Sequence, residues 1–184
     1  GRLNERVQRS LTTADIVRLG LRPKNGRGWR WHIPLTLVHR VRVELPLDPY
    51  VVGALIANGC MTTQSGTMLT TPDTDVAKLV GIAIEIRKMN DADETICDRY
   101  YLPGLAKVTE SLGLRVKSAL KRIPRSYLES SREQRIGLLH GLMDADGSSR
   151  DETRRSVTYH TTSFGLAGDV VELVTSLGGT ASLR

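Results

Sequence analysis

Cysteine is nearly absent from this chain. Two occur in 184 residues, Cys60 and Cys97. They form no metal-type or redox spacing, so both read as packing residues or inert thiols, and a reducing cytosol fits. Long apolar runs are absent too, which excludes a membrane-spanning helix. The opening stretch, Gly1 to Arg9, is polar and basic and has none of the apolar core of a secretory leader. These absences predict a cytoplasmic protein with no membrane partner. Histidine is sparse, and His39, His140 and His160 show no metal-ligand spacing, so they read as surface or packing residues. Lysine stops at Lys121.

Arginine is abundant, at 20 residues against 6 lysines. A GC-rich genome accounts for much of that ratio, but not for the clustering. Residues 1–44 hold 10 Lys+Arg and 3 Asp+Glu, whereas the remaining 140 residues hold 16 and 17. Basic excess of this kind favours a polyanion, most often nucleic acid, and arginine suits bidentate contacts to phosphate or guanine edges. Residues 1–44 therefore read as a basic N-terminal extension, a DNA-recognition or linker subdomain, with a solvated surface as the bland alternative. Its candidate DNA-binding residues are Arg22, Lys24, Arg27, Arg30, Arg40 and Arg42. A capped helix is predicted from Thr12 to about Gly20, a turn over 23–28, and strands over Trp29–Ile33 and Leu37–Leu45.

The most informative stretch is Leu139 to Gly147, Leu-His-Gly-Leu-Met-Asp-Ala-Asp-Gly. An apolar helix runs into two acids and stops on a glycine. A helix C-terminus carries partial negative charge and unpaired carbonyls, so acids there need a cation beside them. By itself the pattern suits a calcium-type loop or a plain helix stop as well. A second copy lies upstream: Val51 to Gly59 reads Val-Val-Gly-Ala-Leu-Ile-Ala-Asn-Gly. Gly53/Ala57 and Gly141/Ala145 place small residues four apart on one face, which lets two backbones approach closely. Two such helices side by side bring positions 58 and 146 together. Asp48 with Pro49 caps the first helix; the second is predicted over Arg132–Ala145. Further elements are a strand pair over 61–70, a helix from Asp73 or Thr74 to Ile86, a strand over 95–102, a helix over 104–112, a strand over 156–161 and a helix over 163–177. The order helix, strands, helices occurs twice.

With both copies in view, the chain resembles the LAGLIDADG homing endonucleases. Leu139, Gly141, Leu142, Asp144, Ala145, Asp146 and Gly147 carry the resemblance, and the lead-in Leu45-Pro46-Leu47-Asp48-Pro49-Tyr50 is of the kind found in endonuclease domains of inteins. Lys121-Arg122-Ile123-Pro124 is similar to the intein Lys-x-Ile-Pro element. Thr161-Thr162-Ser163 with Leu173, Leu177, Gly178 and Gly179 resembles the intein block after the endonuclease core. The opening region is similar, more loosely, to inteins of bacterial replicative helicases.

The resemblance implies an α/β (α+β) fold over residues 45–184, with two pseudo-symmetric halves, central paired helices and a β-saddle for double-stranded DNA. It implies phosphodiester hydrolysis with Mg²⁺ or Mn²⁺ by a monomer fused within an intein and its host protein. Carried onto this sequence, the ligands are Asp146 and Asn58, with Lys121 beside the scissile phosphate and Asp144 in a structural role. Arg150, Arg154 and Arg155 are expected on DNA phosphates. The partner of Lys121 in the other half is an arginine, is missing, or lies beyond Arg184. Asn58 stands where the family expects Asp or Glu, which predicts impaired cleavage or nicking of one strand. The alternative is a degenerate, inactive DNA-binding or structural insert that supports splicing. A transcription regulator on the same fold fits less well, given the intein-type elements. Gly1 and Arg184 are not splicing residues, and Thr36-Leu37-Val38-His39 lacks the usual downstream context of a splicing element, so the chain is expected not to splice alone.

Overall fold

The structure, a computed structural model, describes residues 10–23, 26–28, 30–31, 39–62, 66–89, 97–149 and 157–184. The chain divides into two compact units, Gly1–Leu35 and Thr36–Arg184.

In the smaller unit, α1 (Thr13–Leu19) starts on a capping box in which Thr12 and Asp15 satisfy each other's backbone N–H groups. Gly20 ends it in the left-handed region, φ 80°. Trp31 Nε1 donates to the Gly20 carbonyl at 2.9 Å, and the Arg30 guanidinium, bonded to the Leu19 carbonyl, lies 5.2 Å from the Trp31 ring centre. These contacts fold Arg30 and Trp31 back onto the end of α1, and neither residue is in a strand. That differs from the strand expected over 29–33, of which Trp29, His32 and Ile33 lie outside the described residues. Residues 39–45, which belong to the larger unit, are likewise irregular, in contrast to the strand expected over Leu37–Leu45, of which Leu37 and Val38 lie outside the described residues. Gln134 holds this stretch in place of a partner strand, since its side-chain amide accepts from the Val43 N–H at 3.2 Å and donates to the Val43 carbonyl at 2.7 Å.

The larger unit is mixed α and β, with its core around one helix, α2 (Pro49–Asn58). Asp48 accepts from the Tyr50 N–H and Pro49 occupies the first turn, as the sequence predicts. Val51, Val52, Leu55 and Ile56 are all buried, each contributing about 2 kcal/mol of apolar transfer. α2 has no polar stripe because it is covered on several sides.

β1 (Gly59–Cys60), β2 (Thr67–Thr71), β3 (Arg87–Lys88) and β4 (Asp98–Leu102) form an antiparallel sheet in the order β1-β2-β4-β3. α3 (Thr74–Ala83), capped by Asp73, ends three residues short of the expected Ile86 because the chain turns into β3. α4 (Ala106–Ser111) follows, then a single 3₁₀ turn over Ser118–Leu120 and a short α5 (Arg125–Leu128), neither of which the sequence pattern signals. α6 (Arg132–Asp146) opens on a Ser131/Gln134 capping box. β5 (Gly147–Ser148) pairs with β6 (Thr158–Tyr159), and α7 (Phe164–Ser176), capped by Ser163, closes the described chain. Among the described residues the antiparallel ladders form two sheets rather than the expected one.

Candidate functional site

Two glycines set the distance between α2 and α6. A Cβ at Gly53 would strike the Leu138 carbonyl and lie 2.8 Å from the Leu142 nitrogen, and one at Gly141 would strike the Tyr50 carbonyl. Both obstacles are backbone, so only glycine fits. Gly53 meets the 138–142 turn while Asn58 meets Ala145, so the helices run in the same direction and end together. The seam expected from the paired small residues is present.

Each helix passes directly into a short strand at a glycine, Gly59 or Gly147. Their backbones are extended (φ −83° at both), not left-handed. A Cβ would instead strike the last-turn carbonyl, Leu55 O or Met143 O. The glycines that look like helix stops are there for close approach of the chain to its own last turn.

At the common end, Asn58 Nδ2 donates to the Ala145 carbonyl at 3.2 Å. This bond puts position 58 next to Asp146. Asp146 is half-buried, and its carboxylate accepts no hydrogen bond among the described residues. Burial pushes its pKa up, against the opposing fields of Lys121 and His160. Asp144 is exposed and takes the Tyr50 hydroxyl at 3.2 Å, a contact along the seam.

Lys121 is 4% exposed. Its ammonium donates to the carbonyls of Ile56 at 2.7 Å, Gly59 at 2.8 Å, Leu55 at 3.3 Å and Ala57 at 3.5 Å. Burial lowers its pKa, against the fields of Asp146 and Cys60. Neighbours fix its backbone: Ser163 Oγ donates to the Lys121 carbonyl, and buried Asp169 accepts a two-pronged pair from Arg122 as well as the Ile123 N–H.

Asp146 and Lys121 line one cavity of about 380 Å³, together with Ser118, Tyr159, His160 and Thr161. His160 and Tyr159 were not expected here. The β5–β6 pairing sets Tyr159 opposite Gly147, and the His160 N–H donates to the Asp146 carbonyl. The Tyr159 hydroxyl is buried with no partner among the described residues.

Among the described residues no three His, Cys, Asp or Glu groups converge on one point, so a full protein cage for a metal is not built there. A hard cation with one carboxylate, completed by water and phosphate oxygens, suits Mg²⁺ chemistry, and Asp146, with no hydrogen-bond donor of its own, fits it.

The expected DNA-binding arginines are distributed otherwise. Arg22, Arg27 and Arg30 are exposed in the smaller unit. Arg40 lies 3.8 Å from Glu129, and exposed Arg42 lies in the field of Glu133. Lys24, Arg150, Arg154 and Arg155 lie outside the described residues, as do Ser65, Thr36 to Val38, Thr95 and Ser156. The four-stranded sheet turns Leu69, Tyr100 and Leu102 inward. On its other face, Met68 and Arg87 register with Tyr101, and Thr70 registers with Arg99. The alternation in Asp98–Leu102 carried that signal, but two-residue β3 is too short to be read from sequence.

Residues 133–184 match the model of the LAGLIDADG-like domain family. The match begins at the second residue of α6 and includes Asp146, β5, β6 and α7. This stretch is therefore similar to LAGLIDADG-like domains. The chain is also 43% identical over 64 residues to an ATP-dependent DNA helicase, Hel308, of Thermococcus kodakarensis. That match takes in 33% of this chain and only 6% of the helicase.

Proposed function

We propose that this LAGLIDADG-type chain is an intein-borne homing-endonuclease domain that binds a long double-stranded DNA target and is impaired in cutting both strands. The observation that carries the proposal is the Asn58–Ala145 bond at the joint end of α2 and α6, which sets an uncharged amide next to the half-buried Asp146. Asp146 is the principal ligand for Mg²⁺ or Mn²⁺, and Asn58 offers at most a neutral amide oxygen. When bound, the metal would activate water and stabilise the developing phosphorane charge. Asp146 holds and orients it; Lys121 keeps the end of α2 in place behind it.

The basic excess in residues 1–44 and, taken by itself, the sheet face of Arg87, Arg99 and Tyr101 each suit contact with DNA phosphates. The intein setting is supported by Lys121-Arg122-Ile123-Pro124, whose lysine is built into the helix end. A likeness confined to 6% of a helicase is also what an insert shared between hosts would leave. We place the domain in the cytoplasm as a monomer; among the described residues no helix is long and apolar enough to cross a membrane.

The second reading, a domain kept only for DNA binding or for support of splicing, is favoured by one observation. The Lys121 ammonium, although Lys121 lines the cavity, is held by the carbonyls of Ile56 and Gly59 at 2.7 and 2.8 Å, with those of Leu55 and Ala57 farther off. Target duplexes selected from a random pool and incubated with Mg²⁺ test the proposal. Specific binding with nicking or slow cleavage is expected. Efficient double-strand cutting contradicts the impairment, and absence of duplex binding contradicts the DNA role.

A further inference from the structure

We infer that Asn58 and Lys121 close the α2 half of the site without metal, so that the site takes a single divalent cation, on Asp146. This rests on the nuclease reading above. The last carbonyls of a helix have no partners within it. At the end of α6, one of these, Ala145 O, is taken by the Asn58 amide at 3.2 Å. An aspartate at 58 has no proton to give and would face that oxygen. At the end of α2, the carbonyls of Leu55, Ile56, Ala57 and Gly59 surround the Lys121 ammonium, with Ile56 and Gly59 closest at 2.7 and 2.8 Å. The ammonium thus offsets the negative end of the α2 dipole from a fixed position.

On the α2 side the Asn58 amide nitrogen and the Lys121 ammonium both have partners supplied by the chain. On the α6 side two groups do not, among the described residues: the buried Tyr159 hydroxyl and the half-buried Asp146 carboxylate, and of these only the carboxylate is an anionic ligand for a hard cation. The asymmetry has a chemical reading. A second acid at 58 would call for a second divalent ion to hold two carboxylates at two helix ends. With asparagine there, the tethered ammonium supplies the positive charge on that side, and the amide ties the two ends together. The helix pair therefore stays joined in the absence of metal.

Exchange of Asn58 for Asp does two separable things: it removes a bond between the helices and adds a metal ligand. Melting temperatures of the full chain, as wild type, Asn58→Ala and Asn58→Asp, are measured in EDTA and in millimolar Mn²⁺. Bound Mn²⁺ is counted by the loss of the free-ion resonance. Asn58→Ala should melt roughly 3–6 °C below wild type in both solutions, since metal cannot replace the amide. Asn58→Asp should gain more from Mn²⁺ than wild type does and bind one more ion per chain. Asn58→Ala melting like wild type, or Asn58→Asp matching wild type in both Mn²⁺ response and ion count, overturns the inference. If Asn58→Asp does not fold in EDTA, recovery of its fold by Mn²⁺ supports the inference, and failure of Mn²⁺ to restore it counts against it. Duplex DNA binding by the wild type, measured separately, distinguishes failure of this inference from failure of the nuclease reading.

Discussion

Lys121 is the residue whose environment differs most from its setting in the sequence. In Lys-Arg-Ile-Pro it reads as a surface cation reaching for phosphate, yet its ammonium lies within hydrogen-bonding distance of four carbonyls, and Arg122 beside it is the exposed one. Nothing local signals this, because its partners are more than 60 residues away. Lys121→Met leaves those carbonyls without a donor and should destabilise the fold by about 3 kcal/mol, read from urea unfolding; an unchanged midpoint would contradict the capping role. Asp146 shows the opposite imbalance. Its pKa is raised above the ordinary 3.8 by burial, so the folded chain holds the proton more tightly than the unfolded chain. The stabilising contribution is full below the ordinary carboxylate value and is lost as pH rises through the raised one. In EDTA, Asp146→Asn should abolish that slope and be the more stable protein at neutral pH, measured by urea unfolding across the acid range. A variant less stable than wild type would mean that the charge has a partner.

At the scale of elements, the α2–α6 pair was legible because its signal is local and repeated: small residues four apart, a capping Asp-Pro, and a glycine where each helix ends. The same logic located Asp146 and Asn58. Lys121 was named from its Lys-x-Ile-Pro setting, but its burial was not legible, and neither were Tyr159 and His160, which reach the cavity through β5–β6 pairing. The strand expected over 156–161 is present as β6, but its pairing with two-residue β5 has no periodicity to read. At Arg30 and Trp31, the two described residues of the strand expected over 29–33, no strand forms, for a related reason. Alternation of Trp and Arg is equally served by side chains folding back on a helix end. The pair also yields a prediction. Gly141→Ala drives a methyl into the Tyr50 carbonyl, which cannot move without moving α2. A loss of about 3 kcal/mol is expected, read from urea unfolding, with loss of the proposed cleavage. Gly168→Ala, on α7 with open space at its Cβ position, should be neutral or slightly stabilising. Equal effects of the two would refute the seam.

For the whole molecule, charge and chemistry are separated along the chain. The basic excess lies in residues 1–44, while the candidate chemistry lies at the joint end of two helices in the larger unit. If the arginines of the smaller unit neutralise phosphates, removal of residues 1–35 should weaken duplex binding. It should also flatten the salt dependence, by about one unit of log–log slope for each phosphate left without its arginine. An unchanged slope removes that role from the unit. The most direct measurement is the product formed from a supercoiled plasmid bearing the selected target, in Mg²⁺, by wild type, Asn58→Asp and Asp146→Asn. Nicked circles at most are expected from the wild type, linear product from Asn58→Asp, and no scission from Asp146→Asn. Rapid linearisation by the wild type, or scission that survives Asp146→Asn, would rule out a site built on Asp146 alone.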